Sequence, residues 1–430
     1  MIKKFFKNSY IIYIIGVIYA WVYYYGYIEF LNGYFDYAGF EIIDGRLQND
    51  LFLLLTFSIS ILPLFLYKGI IKISSFLSVF IYYLLYIPII FTFFFSLAGD
   101  VGFVILRQIL FMIGMMIIFY ADRFAFKKVI VFPSSFDIFK IVLFLCFAIA
   151  FYIAFVYRSN LQLVNFEEVY AQRSANQDFG NDNITGYLSV WLLNVLVPLC
   201  IVYSFFSKKK IYFIAGAFAC LILYMATAAK SAVFMPIIMY GLYRLLLTKN
   251  LLRSFNIIGL ALIVILLVSL MFEFNVYSSI LWARTVGNGG SLTKYYYDFF
   301  QNNPNTYFSH INFIKSIGDY YPYQQELGVV VGNYYWGDAN ANANFWATDG
   351  IAAIGDFGII ISSVLLFLVF IIFNTVADRY NMLFIILVLI PYTLSLLNTS
   401  MFSSLLSGGA LIIFGILSFN SSLNNKYILK

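Results

Sequence analysis

Runs of seventeen or more apolar residues recur along this chain, separated by short polar connections. A hydrocarbon core of about 30 Å takes roughly 20 helical residues to cross. Inside lipid only helices and closed barrels satisfy every backbone N–H and C=O. The runs are continuous and do not alternate residue by residue, so a barrel is excluded. The expected class is all-α, a polytopic integral membrane protein. The composition agrees: 63% of residues are hydrophobic and 11% charged, against about 25% charged in a soluble chain.

Hydropathy places spans near 9–25, 51–67, 74–97, 102–120, 141–157, 187–206, 211–225, 232–247, 255–272, 351–375, 382–397 and 405–419, about twelve transmembrane helices. Lys3, Lys4 and Lys7 precede an apolar run that continues through Tyr25 without a small-residue cleavage site. An uncleaved first span is expected there. Residues 1–430 are expected to form a single membrane domain. No internal repeat appears at a fixed period, which disfavours the two-fold pattern of many secondary transporters.

Lys and Arg near span ends set the orientation. With the N-terminus inside, eighteen of the twenty-six basic residues lie on the cytoplasmic side and seventeen of the twenty acidic residues lie outside. All five tryptophans fall at or beyond the outer interface. Both termini are therefore expected in the cytoplasm. Three outer segments remain: 26–50, a second loop at 158–186, and a large loop at 273–350. Nothing in the charge pattern points to a nucleic-acid partner. Cys146, Cys200 and Cys220 all sit inside apolar spans, without metal-ligand spacing, and are expected to pack as small hydrophobes.

Cations are depleted on the outer side, so the few found there are candidates for chemistry. Arg107 lies inside the fourth span, Arg158 and Arg173 in the second outer loop, Lys230 in a small-residue turn, and Arg284 before Val286-Gly287-Asn288-Gly289-Gly290. A phosphate or diphosphate site is one reading: arginine supplies a bidentate fork, lysine a point charge, and small residues admit the backbone. Ion pairs with outer carboxylates, or snorkelling to headgroups, are the other. His310 is the only histidine and lies in the large outer loop. It is either a general base for a hydroxyl or a hydrogen-bonded structural residue. Asp298, Asp349 and Asp356 compete for the same role, with helix or turn capping as the alternative for Asp349. A single histidine builds no ordinary zinc site, and no metal or cofactor is expected. There is no Walker loop, nucleophile elbow or H-E-x-x-H. The dense aromatics of this loop suit either a sugar platform or a helix lying on the membrane.

Several strings stand together in this loop. Arg284–Gly290 is followed by Tyr295-Tyr296-Tyr297-Asp298-Phe299-Phe300, Ser309-His310 and Gly332-Asn333-Tyr334-Tyr335. Then come Asn340-Ala341-Asn342-Ala343-Asn344-Phe345-Trp346-Ala347-Thr348-Asp349-Gly350 and Gly355-Asp356-Phe357-Gly358. With the earlier Ala229-Lys230-Ser231, the set resembles the bacterial oligosaccharide repeat-unit polymerases, the O-antigen polymerase family. The specific motifs cover about 226–231 and 284–358; the rest is hydropathy. The resemblance implies a GT-C-like glycosyltransferase bundle in the inner membrane, with a large periplasmic loop. It implies that both donor and acceptor are oligosaccharides on undecaprenyl diphosphate. The acceptor hydroxyl would attack the anomeric carbon with inversion. Arg284, with Lys230 and Arg173, would hold the diphosphate. His310, Asp298 and Asp349 would be the catalytic candidates. Tyr295, Asn342, Asn344 and Trp346 would contact saccharide, and a chain-length regulator protein would be a further partner. The family's widely spaced arginine–glycine repeat is absent around Arg173 and Arg284. An O-antigen ligase and a flippase or transporter of lipid-linked sugars are the alternatives.

Overall fold

A computed structural model describes residues 2–126, 132–134, 137–164, 172, 176, 183–247, 254–271, 276–315, 320–337 and 339–421. The described chain is helical apart from one short parallel strand pair, Phe132–Ser134 with Phe419–Ser421. Among the described residues seven helices are long and apolar enough to cross a membrane: Tyr10–Ala38, Ile73–Ser96, Val101–Arg123, Ile138–Val156, Ile184–Ser207, Lys210–Thr227 and Asp356–Ala377. Asp50–Leu66 and Ile258–Leu270 are shorter apolar helices. The remaining expected spans are short or broken. The stretch 382–397 divides at Leu389, two residues before Pro391, into Met382–Val388 and Ile390–Leu396. In 405–419 only Ala410–Ser418 is a helix of any length, entered through Gly409 at φ 85°. The span expected from 351 starts at Asp356, because Gly355 (φ 70°, ψ −144°) ends a separate buried turn before it.

Contacts divide the chain into two compact units: residues 1–125, 250–372 and 396–402, and residues 126–249, 373–395 and 403–430. In the first unit the central helix is Ile73–Ser96, buried along almost its whole length. Its polar backbone is completed by its neighbours. A π turn at Tyr82–Tyr86 runs into Pro88, which has no N–H for the Tyr83 carbonyl five residues back. The Tyr19 hydroxyl donates to that carbonyl at 2.8 Å. Pro63 likewise leaves the Ile59 carbonyl without a helical donor, and the Tyr86 hydroxyl fills it at 2.7 Å. At the Ser96 end of this helix Arg46 is buried, with its Nη2 on the carbonyls of Leu97 and Gly99 at 2.9 Å each and its guanidinium 5.2 Å from the Phe52 ring. Arg46 is thus a helix C-terminal cap.

In the second unit Ile138–Val156, Ile184–Ser207, Lys210–Thr227 and Lys230–Leu246 pack together. Phe139 stacks on Tyr203 at 4.1 Å, and the Tyr380 hydroxyl donates to the Leu417 carbonyl. Cys146, Cys200 and Cys220 are buried and unbridged.

The stretch 273–350 is polar in sequence, yet much of it is packed. Its described part begins with one continuous helix over 276–302, built from Val276–Ser279, a π turn at Ile280–Gly287 and Asn288–Asn302. That helix lies against the central one through Gly289 and Gly290. A Cβ on Gly290 would sit 2.3 Å from Thr92 Oγ1 and 2.7 Å from the Pro88 carbonyl oxygen. The glycines therefore serve close helix packing. Gly290→Ala is expected to cost about 1–3 kcal/mol by overpacking against backbone, read as a lowered unfolding temperature in detergent. An unchanged temperature would show that the contact yields freely.

Candidate functional site

The helix 276–302 supplies three of the ten expected site residues, Arg284, Tyr295 and Asp298. Trp282 is fully buried, and its Nε1 donates to Ser269 Oγ at 2.7 Å. Two residues on, in the same π turn, Arg284 is exposed and has no ion pair or hydrogen bond among the described residues. Three to seven residues before it on the same helix, Leu281, Ser278 and Tyr277 face Val264, Ile265, Val268 and Ser269 across a groove of about 310 Å³.

Further along the helix Lys294 is buried and bonds Glu41 at 2.8 Å and Asp298 at 3.5 Å. Asp298 is 29% exposed, and burial raises its pKa while Lys294 opposes the rise. Tyr295 is packed against Tyr335 (4.5 Å) and Trp336 (4.7 Å), and burial pushes its hydroxyl up to about 12. Arg107 Nε donates to Tyr297 Oη at 2.7 Å, and its Nη2 pairs with Asp356 Oδ2 at 2.8 Å. Two residues weighed separately in the sequence, Arg107 and Asp356, are thus one ion pair.

The Asn-Ala-Asn-Ala-Asn tract is extended, so its side chains alternate. Asn340 and Asn342 are exposed, whereas Ala341 and Ala343 are buried. The tract runs over the glycine face of Leu327–Trp336: Ala341 N bonds the Gly328 carbonyl at 2.8 Å, and a Cβ on Gly332 would lie 2.1 Å from the Ala339 oxygen. Asn344 is fully buried. It donates to Thr293 Oγ1 at 2.8 Å and accepts from the N–H groups of Trp346 (3.0 Å) and Ala347 (3.2 Å), capping the turn Trp346–Ile351. Trp346 is also fully buried, its Nε1 on Ser363 Oγ at 2.8 Å. Of the four expected saccharide contacts, only Asn342 presents its side chain outward. Asn344 and Trp346 are spent on internal packing, and Tyr295 lies beneath Tyr335 and Trp336.

His310 and Asp349 come together from thirty-nine positions apart. His310 Nε2 is 3.3 Å from Asp349 Oδ1, and its side chain is 5% exposed against 0% for Asp349. Asp349 also accepts from Ser400 Oγ at 2.6 Å and from the Met401 N–H at 2.5 Å, the start of the helix Met401–Leu405. His310 Nδ1 lies 2.8 Å from Thr306 Oγ1, which lies 3.2 Å from the Ala352 carbonyl. Thr306 has one hydroxyl proton to give. Given to Ala352, it leaves an imidazolium donating from both nitrogens. Given to Nδ1, it leaves a neutral ring donating from Nε2. In both states Nε2 carries the proton shared with Asp349, and Nδ1 faces Thr306. Asp349 is a capping carboxylate after all, though for a helix fifty residues away.

Lys230 belongs to the second unit, as the first residue of Lys230–Leu246 after a left-handed Ala228 (φ 48°). Arg173 lies outside the described residues. Its neighbours Gln172 and Asn176 are described, and their amides donate to the carbonyls of Met225 and Ala226 just before that turn, at 3.4 and 2.7 Å. No local pattern marks Thr306 or Ser400 as partners, nor the exposed Tyr307 and Tyr320. No cluster of metal-ligating side chains occurs among the described residues. Compared with protein-family models, curated proteins and solved structures, the chain matches none.

Proposed function

We propose that the protein is a membrane glycosyltransferase of the O-antigen polymerase type, joining oligosaccharide repeat units carried on undecaprenyl diphosphate at the periplasmic face of a bacterial inner membrane. Both termini would then be cytoplasmic, as the charge asymmetry suggests. The observation that carries the reading is Arg284: an exposed guanidinium without a partner among the described residues, on a rare π turn, three residues past Leu281 of an apolar groove. π turns concentrate at functional sites. A cation next to an apolar groove suits a ligand with an anionic head and an isoprenoid chain.

In the reaction the acceptor hydroxyl oxygen bonds to the anomeric carbon as the carbon–oxygen bond to diphosphate breaks. The electron pair leaves with the diphosphate, whose charge Arg284 stabilises. The leaving group needs no general acid. The hydroxyl proton passes to a base, and we assign that role to Asp298: it is partly accessible, and its raised pKa makes it a stronger base than an ordinary aspartate. His310, whose ring nitrogens are engaged by Thr306 and Asp349, acts with Asp349 as a positioning residue. Lys230 and Arg173 remain proposed contributors to diphosphate binding.

Cells lacking the protein are expected to carry lipopolysaccharide capped with a single repeat unit. Uncapped core would point to a ligase or a flippase.

The Asp298 assignment also sets a pH dependence. The basic form is lost as pH falls through its raised pKa, so the acidic limb of the rate profile should lie above that of an ordinary aspartate. Glu41, Lys294, Tyr295 and Tyr335 are the titratable groups around it among the described residues. Lys294→Met should move the limb to higher pH, since Lys294 lowers the pKa, and Glu41→Gln should move it down. A limb that ignores both substitutions removes Asp298 as the base.

A further inference from the structure

The loop 304–311 holds two consecutive bulky residues in left-handed backbone conformation, Tyr307 at φ 48° and Phe308 at φ 64°. Such a pair is strained and persists only where its surroundings over-determine it. Here they do. A helix leaves its last carbonyls unpaired, and the carbonyls preceding Gly355 are taken up by this loop. Thr306 N bonds Ala352 at 2.8 Å, Tyr307 N bonds Ala353 at 3.0 Å, and Asn305 Nδ2 bonds Ile351 at 3.1 Å. The Tyr323 hydroxyl holds the Pro304 carbonyl at 2.6 Å. The His310–Asp349 pair fixes the far end.

The strain has a geometric result. Phe308 packs edge-on to Phe402 at 6.4 Å, while Tyr307 is left 69% exposed. Tyr307 then lines a cavity of about 630 Å³ with Pro304, Asn305, Ser309, Pro322 and Tyr320, the last 81% exposed. That volume is within the range of small-molecule sites. Among the described residues no charged side chain lines it.

We infer that this cavity binds a pyranose ring of the oligosaccharide between Tyr307 and Tyr320, an assignment that rests on the glycosyl-transfer reading above. An uncharged lining gives nothing to a diphosphate or an anionic headgroup. An isoprenoid chain is better matched by the aliphatic groove at 264–281. The C–H faces of a pyranose are weakly positive and complement the negative faces of tyrosine rings. The two phenol hydroxyls can hydrogen-bond the sugar's own. Asn305, with its Nδ2 spent on a carbonyl, keeps Oδ1 as an acceptor.

The test uses the full chain in nanodiscs, with the glycan released by mild acid from the lipid-linked repeat units that accumulate in cells lacking the protein. Saturation-transfer NMR reads binding. Tyr320→Ala alters an exposed side chain, and Tyr307→Asn removes the ring while tolerating the left-handed backbone. Each is expected to weaken binding about tenfold, whereas Tyr320→Phe and Arg284→Ala keep the glycan bound. No transfer in the wild type, or undiminished binding in both tyrosine variants, overturns the cavity assignment and leaves the polymerase reading standing. If the cells accumulate no lipid-linked repeat unit, that reading fails and the assignment fails with it.

Discussion

Arg284→Ala is expected to abolish polymer while the protein still inserts and folds. The side chain is exposed and holds nothing else in place among the described residues, so its loss leaves no orphaned group behind. Packing of the π turn rests instead on Trp282, Val286 and Gly287, all buried. A surface change of this kind alters stability by about 0.5 kcal/mol or less. Its effect on rate is of another order. Losing one preorganised donor aimed at developing charge costs roughly 10²–10³ in turnover. Arg284→Lys keeps the charge but loses the bidentate fork, so an intermediate rate is expected. The measurement is product length from purified protein and synthetic lipid-linked repeat units, beside an unfolding curve in detergent. Full-length polymer from Arg284→Ala removes the diphosphate site. Loss of polymer together with a large drop in unfolding temperature would make Arg284 a structural residue instead.

The helical class was legible because lipid leaves the backbone so few choices. Seven of the expected spans return as long apolar helices, with ends shifted by up to five residues except in the first, which runs on past Tyr25 to Ala38. Four caps were not singled out in the sequence: Asn49, Asp100, Asp137 and Asn381 each accept from the first turn of the helix that follows. The span pattern blurs where helices break. At Leu389 and at Gly408-Gly409 apolar composition continues while the backbone turns, and hydropathy averages over the interruption.

The polar stretch 273–350 misleads in a different way. Polarity reads as exposure only when polar groups face water. Here Asn344, Thr293, Ser291 and Lys294 are buried and satisfied by one another or by Ala38 and Glu41. The glycines near Arg284, suited in sequence to a phosphate, are packed: Gly287 faces Phe40, Gly289 faces Leu85, and Gly290 faces Pro88 and Thr92. The alternating Asn-Ala tract carried its period in plain sight, and that period alone separates the outward Asn342 from the alanines beneath it. Pairings such as His310 with Asp349, or Arg107 with Asp356, have no local signature. Each partner looks free until the fold closes the distance.

Asp349→Ala should produce the largest loss of stability of any single substitution in this region. The carboxylate is fully buried and accepts from three donors brought from two segments: His310 Nε2, Ser400 Oγ and the Met401 N–H. Alanine takes the shared acceptor away from all three in a buried site. Breaking a buried pair in this way costs about 3–5 kcal/mol. Asp349→Asn keeps the volume but turns an amide N–H₂ toward one of the donors, and should fall between. His310→Gln loses one link of the set while Ser400 and Met401 keep theirs, so about 1–2 kcal/mol is expected. Unfolding temperature orders the three, and polymer length separates the two roles open to the histidine. If His310 positions the strained turn at Tyr307, His310→Gln retains polymer in proportion to the protein that stays folded. If it is the base, polymer vanishes with the unfolding temperature nearly unchanged, and the proton returns from Asp298 to a histidine that must first leave Asp349. An Asp349→Ala protein as stable as the wild type would mean that the buried pair does not hold the loop at all.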